Sequence, residues 1–220
     1  MTRRGARLWS IAIAALLTGC GGNAGGDAPR VSPSPQPRSA STQLVVVGDS
    51  LAAGRFADTQ DQAFPQLVAA ATRSRLDVLG VPGATTAQLA AGALPSRGDD
   101  VVVEAGTNDF LFQTPRARFA DDYRALLAKV TAASPGAKLV CLTTWVPKDV
   151  ASRPAAKIPV SFYDATIRRA CTDGAVANLS PLTDARGPAG RPTFLGPGDD
   201  FHPNSSGHAA IARLIESRLR

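Results

Sequence analysis

Histidine, cysteine and long apolar runs are scarce in this chain, and each scarcity removes a class of function. The 220 residues include 2 histidines and 3 cysteines. His202 and His208 are not at the i, i+4 spacing of a helical zinc motif, and no Cys-x-x-Cys occurs, so a metal site has no support in the sequence. The apolar run at residues 8–17 is too short to cross a bilayer as a stable helix. Lysine and arginine form no stripe interleaved with aromatics, which leaves nucleic-acid binding without a basis. The formal charge of +6 overstates the case, because Arg3, Arg4, Arg7, Arg30, Arg38 and Asp27 all precede residue 43, leaving about +2 beyond it. The first strand-like run also lacks a following Gly-x-Gly-x-x-Gly, the cradle that a pyrophosphate needs.

What is present begins with a targeting segment. Arg3, Arg4 and Arg7 precede the apolar residues 8–17, the layout of an export signal. The run closes on Leu17-Thr18-Gly19-Cys20, which resembles the lipobox of bacterial lipoproteins. That resemblance implies a signal peptide over residues 1–19 and a lipidated Cys20 as the first mature residue, anchored at the outer face of the cytoplasmic membrane. The alternative is a conventional signal cut near Gly19, which would give a secreted protein. Twin-arginine export is a lesser option, since Gly5-Ala6-Arg7 fits that motif poorly. Residues 21–42 read as a disordered linker, flexible through its glycines and extended through Pro33, Pro35 and Pro37. Residues 43–220 then suit one domain with its own core.

Within that domain, Leu44-Val45-Val46-Val47 runs directly into Gly48-Asp49-Ser50-Leu51. A short apolar, β-branched run reads as a buried parallel strand, and a serine just beyond it lies at the sheet edge where ligand crevices form. Alone, the tripeptide is equally a strand-ending turn. The far end of the chain carries Asp199-Asp200-Phe201-His202-Pro203. A serine hydroxyl needs an adjacent base to become a nucleophile, and an imidazole base needs a group that fixes its tautomer. Asp199 and His202 can meet across one turn. Between these ends, Gly83 and Gly106-Thr107-Asn108-Asp109 each follow an apolar run; alone, they too are ordinary turn and capping residues.

Taken together and in this order, the four blocks resemble the SGNH hydrolases, also called the GDSL esterase/lipase family, from residue 44 to the C-terminus. The resemblance implies that Ser50 is the nucleophile, that Ser50, Gly83 and Asn108 form the oxyanion hole, and that Asp199 and His202 complete a triad. It also implies a flavodoxin-like three-layer α/β/α sandwich with a five-stranded parallel sheet in the order 2-1-3-4-5.

The residue pattern independently predicts an α/β domain. Strands are expected at 44–47, 76–81, 101–105, 139–143 and 175–179, and helices at 62–72 and 117–133 and after Pro203. Such alternation implies a parallel sheet covered on both faces. His208 is expected to pack or to face solvent. Phe110-Leu111-Phe112 suits either an acyl pocket or the core. Segments 145–159 and 180–197 lack a regular pattern and are expected to frame the substrate site. Cys141 and Cys171 both look interior; a disulfide and two separate buried thiols are both open readings.

The leading functional expectation is an extracytoplasmic serine esterase, monomeric and needing no cofactor, acting on a small-molecule, lipid or carbohydrate ester. An acyltransferase would use the same triad. A non-catalytic binding lipoprotein on the same scaffold is the reading from a different class.

Overall fold

Five short runs rich in valine and leucine form the strands of the computed structural model, which describes residues 41–95, 97–186, 193–196 and 199–220. They are β1 Gln43–Gly48, β2 Arg75–Gly80, β3 Asp100–Glu104, β4 Lys138–Leu142 and β5 Ala175–Ala177. All pair in parallel, in the order β2-β1-β3-β4-β5. The order and strand number are those the family resemblance implied. The expected signal peptide, Cys20 and the linker up to residue 40 lie outside the described residues.

Successive side chains of a strand point to opposite faces, so each apolar strand feeds two cores. Val45, Val47, Val101, Val103 and Cys141 face one side. There they meet α2 Thr86–Ala91, α4 Arg116–Ala133 and α6 Val160–Ala170. The stripe Phe119, Tyr123, Leu126 and Val130 forms the buried side of α4. Leu44, Val46, Val102, Val140 and Leu142 face the other side, against α1 Phe64–Thr72 and α8 Ser205–Leu219. Three short helices, α3 Thr107–Leu111, α5 Lys148–Ala151 and α7 Ser180–Thr183, occupy the connections.

Several boundaries depart from the sequence expectation for local reasons. β2 runs one residue earlier than 76–81, and Val81 lies beyond it, exposed. β5 stops at Ala177 rather than 179, where the hydroxyl of Thr143 takes the Leu179 N–H at 2.8 Å in place of a ladder partner. The first helix starts at Phe64, not 62, after a 3-10 turn at Gln60–Gln62, and Pro65 sits in its first turn, where no amide hydrogen is needed. Segments 145–159 and 180–197 contain α5 and α7 rather than irregular chain alone. Phe110 is core, edge-on to Tyr163, whereas Leu111 and Phe112 are exposed. Cys141 on β4 and Cys171 at the end of α6 are joined in a disulfide with 6.4 Å between their Cα atoms.

Candidate active site

β1 and β3 are neighbours whose connections leave in opposite directions, which makes the gap beyond their carboxyl ends the switch point of the sheet. Gly48 allows the two ends to close up. A Cβ there would stand 2.6 Å from Oε2 of Glu104 and 2.7 Å from its carbonyl oxygen, so any side chain would push the strands apart. Ser50 follows two residues later and retains 7% exposure. Its carbonyl accepts the Arg55 N–H at 2.9 Å, coiling residues 50–55 into a tight turn.

His202 reaches Ser50 from the loop before α8. Asp200 takes the left-handed conformation, with φ 51°, which folds the chain back on itself. Oδ1 of Asp199 then accepts the N–H groups of Phe201 at 2.9 Å and His202 at 3.0 Å, while Oδ2 bonds Nδ1 of the His202 ring. On the far side of the ring, Nε2 stands 3.0 Å from Oγ of Ser50. The loop is held from outside as well. Trp145 donates its indole N–H to the Phe201 carbonyl at 2.7 Å, and Gly196 N–H donates to the His202 carbonyl at 2.7 Å. Partial burial pushes the Asp199 carboxyl up, but hydrogen bonds from the His202 ring and from the Phe201 and His202 amides outweigh it. The group therefore titrates below the usual carboxylate value. This carboxylate stays ionised and orients the imidazole so that Nε2 points at the serine.

Asn108 enters from the first turn of α3. Gly106, with φ 112°, turns the chain out of β3 in a conformation that a side chain would resist. Nδ2 of Asn108 donates to Oδ2 of Asp49 at 2.8 Å and to the Ala84 carbonyl at 3.0 Å. The second of these ties the Gly83-Ala84 turn to Asn108. The next residue, Asp109, reinforces the tie, because its Oδ2 accepts both the N–H and the hydroxyl of Thr86 at 2.8 and 2.7 Å. The structure thus brings Ser50, Asp199 and His202 into one hydrogen-bonded line and joins Asn108 to the Gly83 turn. Both hydrogens of the Asn108 amide are engaged within the protein, which the sequence expectation of a ready oxyanion donor did not include.

Two residues of the site escaped the sequence reading. Asp49 is fully buried beneath the serine, accepting Leu51 N–H at 3.1 Å and the Ser50 hydroxyl at 3.3 Å. Glu104, 1% exposed, accepts the Asp49 N–H at 3.0 Å, and the two carboxyls lie within hydrogen-bond reach of each other. Burial, and then the charge of Asp49, pushes Glu104 well above the ordinary glutamate range. Burial also raises Asp49, but hydrogen bonds from Leu51, Glu104 and Ser50 pull it back. Of the two, Glu104 is the one pushed further toward its neutral form. Its signal is visible in the sequence as an acid directly after the apolar run Val101-Val102-Val103 of β3.

Comparison with known proteins bears on the family and the fold. A profile of the GDSL-like Lipase/Acylhydrolase family matches residues 46–210. No curated protein matches the chain. Among solved structures, a salicylyl-acyltransferase, SsfX3, from a tetracycline biosynthetic pathway is similar with TM-score 0.66 and 18% identity, covering 82% of this chain and 55% of its own. A carbohydrate esterase family 2 enzyme with its carbohydrate-binding domain, from Corynascus thermopiles (Myceliophthora fergusii), gives 0.65 and 17%, covering 84% and 68%. A two-domain esterase, CEX, active on acetylated mannans gives 0.61 and 19%, covering 81% and 48%. The chain therefore spans about half the length of the first and third of these. At such identities the likeness is one of fold.

Proposed function

Because this chain belongs to the GDSL-like lipase/acylhydrolase family, we propose that it is a serine ester hydrolase working through an acyl-enzyme at Ser50. The single observation that carries the reading is the continuous line from Asp199 through His202 to Oγ of Ser50, closing at 3.0 Å. Oγ attacks the ester carbonyl carbon while Nε2 of His202 takes its proton, and Asp199 stabilises the resulting imidazolium. The tetrahedral oxyanion is held by the backbone N–H groups of Ser50 and Gly83 and by the Asn108 amide, which exchanges its bond to the Ala84 carbonyl for one to the substrate oxygen. Collapse expels the alcohol, which receives the proton from His202. Water then attacks the acyl-enzyme with His202 again as base, and carboxylic acid leaves. No cofactor enters this scheme.

Export to an oxidising compartment, with lipidation at Cys20, belongs to the same proposal. The lipobox-like Leu17-Thr18-Gly19-Cys20 and the Cys141–Cys171 disulfide support it. Metabolic labelling with an alkynyl fatty acid is expected to tag the wild type and not Cys20→Ala; equal labelling would refute the anchor.

A panel of p-nitrophenyl esters of increasing acyl length tests the activity. Turnover with a preference along the series is expected, and no turnover of any ester would contradict the proposal. The likeness to an acyltransferase motivates a second arm, in which products are analysed with an alcohol or sugar acceptor present. Transfer in preference to hydrolysis would move the reaction to that class without changing the residues.

A further inference from the structure

Of the two histidines in the chain, one bonds the candidate nucleophile and the other is fully buried in α8. His208 is neutral and of one tautomer. Its Nδ1 accepts the Phe64 N–H at 3.3 Å, the otherwise unpaired first amide of α1, so the proton resides on Nε2. Burial, the dominant cause, keeps the ring from charging. Nε2–H donates to the carbonyl of Arg55 at 2.9 Å.

The Arg55 carbonyl belongs to the peptide unit that leads into Phe56, and Phe56 adopts φ 64°. That conformation is costly for an aromatic residue and persists only where the surroundings over-determine it. Its result is specific. The Phe56 ring lies flat on the His202 imidazole, with centroids 5.3 Å apart and planes 13° from parallel, while Phe201 meets the same imidazole edge-on at 5.2 Å. Gly196 closes over the stack, since a Cβ there would come within 3.1 Å of the Phe56 ring. The hydrogen bonds of Asp199 and Ser50 act in the plane of the imidazole; Phe56 restrains it from above.

We propose that His208 is a positioning residue for His202, acting through the Arg55 carbonyl to hold Phe56 in its left-handed conformation with its ring stacked on the imidazole. The inference rests on His202 serving as the base for Ser50. The stack limits tilting of the imidazole out of line with Oγ and keeps water off one of its faces. A displacement on the scale of an ångström at this distance costs rate steeply.

Three variants separate this from ordinary packing. His208→Gln retains a donor near Nε2 for the Arg55 carbonyl. His208→Asn retains an acceptor near Nδ1 for Phe64 but loses that donor. Phe56→Gly removes the ring and relieves the strained φ. Two readouts are used in the full-length protein: the rate of Ser50 labelling by a fluorophosphonate, and the chemical shifts of the His202 ring protons, which an overlying aromatic ring moves upfield. Phe56→Gly and His208→Asn are expected to shift those protons downfield and slow labelling by roughly tenfold to a hundredfold, with the melting temperature of Phe56→Gly held within a few degrees. His208→Gln should stay near wild type. In the Phe56→Gly background, His208→Asn should add nothing, because its effect travels through the missing ring.

Additive effects, or unchanged His202 resonances in Phe56→Gly, would overturn the inference. If neither His208 variant folds, the same comparison on Phe56→Gly and Phe56→Tyr decides it: rescue by tyrosine supports the stack, and no change in either variant refutes it. A wild type that the probe does not label would instead fail the proposed function, and this inference would fall with it.

Discussion

Glu104 receives the backbone N–H of Asp49 at 3.0 Å, and its buried carboxyl also reaches the carboxyl of the same residue. Two acids in contact beneath the Ser50 hydroxyl cannot both ionise cheaply. Burial pushes Glu104 further toward its neutral form than Asp49, whose oxygens also take the Asn108 amide, the Leu51 amide and the Ser50 hydroxyl. Glu104→Gln preserves both roles, one acceptor and one donor, and is expected to keep kcat within about threefold of wild type. The pH dependence follows from the direction of the shift. Between the ordinary glutamate value of 4.5 and the raised value in the fold, the folded chain keeps a proton that the unfolded chain releases. Wild-type stability therefore falls as pH rises through that window, and the melting temperature of Glu104→Gln should gain on it over the same range. A gap that narrows with rising pH would mean that Glu104 is ionised.

The two adjacent acids at the other end of the site should behave oppositely. Asp199 bonds the imidazole and two backbone amides, whereas Asp200 supplies a left-handed turn that asparagine also tolerates. Asp199→Asn is expected to lower kcat by about 10³–10⁴, as when a triad imidazole loses its tautomer control. Asp200→Asn should stay within about threefold. Steady-state kinetics on both variants checks this, and the reverse ranking would exchange their roles.

The parts of this account legible in the sequence were those fixed by local pattern. Val45, Val46 and Val47 announce a strand, and Phe119, Tyr123, Leu126 and Val130 announce a helix face, because burial repeats at the period of the element. Three of the four chemical blocks stand out because each follows a strand, and the fourth because it carries one of two histidines three residues after an acid. What was illegible depends on tertiary partners. The short helices α3, α5 and α7 have too few residues to show a period; α3 is placed by Gly106 and by the bonds of Asp109 to Thr86. The link from His208 to Phe56 passes through a backbone carbonyl and a φ angle, and neither leaves a trace in residue type. The sequence leaves the disulfide open because a pair of cysteines beyond Cys20 says nothing of distance; the end of α6 and the C-terminal part of β4 are brought to 6.4 Å only by the fold.

Removing Asn108 should act at two levels. Loss of one oxyanion donor typically costs about 10²–10³ in kcat with little change in KM. Asn108→Ala also strips a partner from both the buried Asp49 carboxyl and the Ala84 carbonyl, which should destabilise the fold by about 1–3 kcal/mol. Denaturant unfolding and kinetics on the same preparation separate the two. A folded Asn108→Ala enzyme with wild-type kcat would reduce Asn108 to a structural tie.

The Cys141–Cys171 bridge closes a loop with a sequence separation of 30, for which chain entropy suggests about 3.6 kcal/mol. The double Cys141→Ala, Cys171→Ala variant should melt roughly 7–14 °C below wild type and lose sensitivity to reductant. Equal melting of the wild type with and without dithiothreitol would show that the bridge contributes nothing to stability.

The central claim is that Ser50 carries the acyl group, with His202 at 3.0 Å as its base. It is tested most directly by intact mass and peptide mapping after reaction with a fluorophosphonate. The account predicts one adduct per chain, located on Ser50, absent from Ser50→Ala and much slowed in His202→Ala. An adduct on another residue, or one that persists in Ser50→Ala, would contradict it.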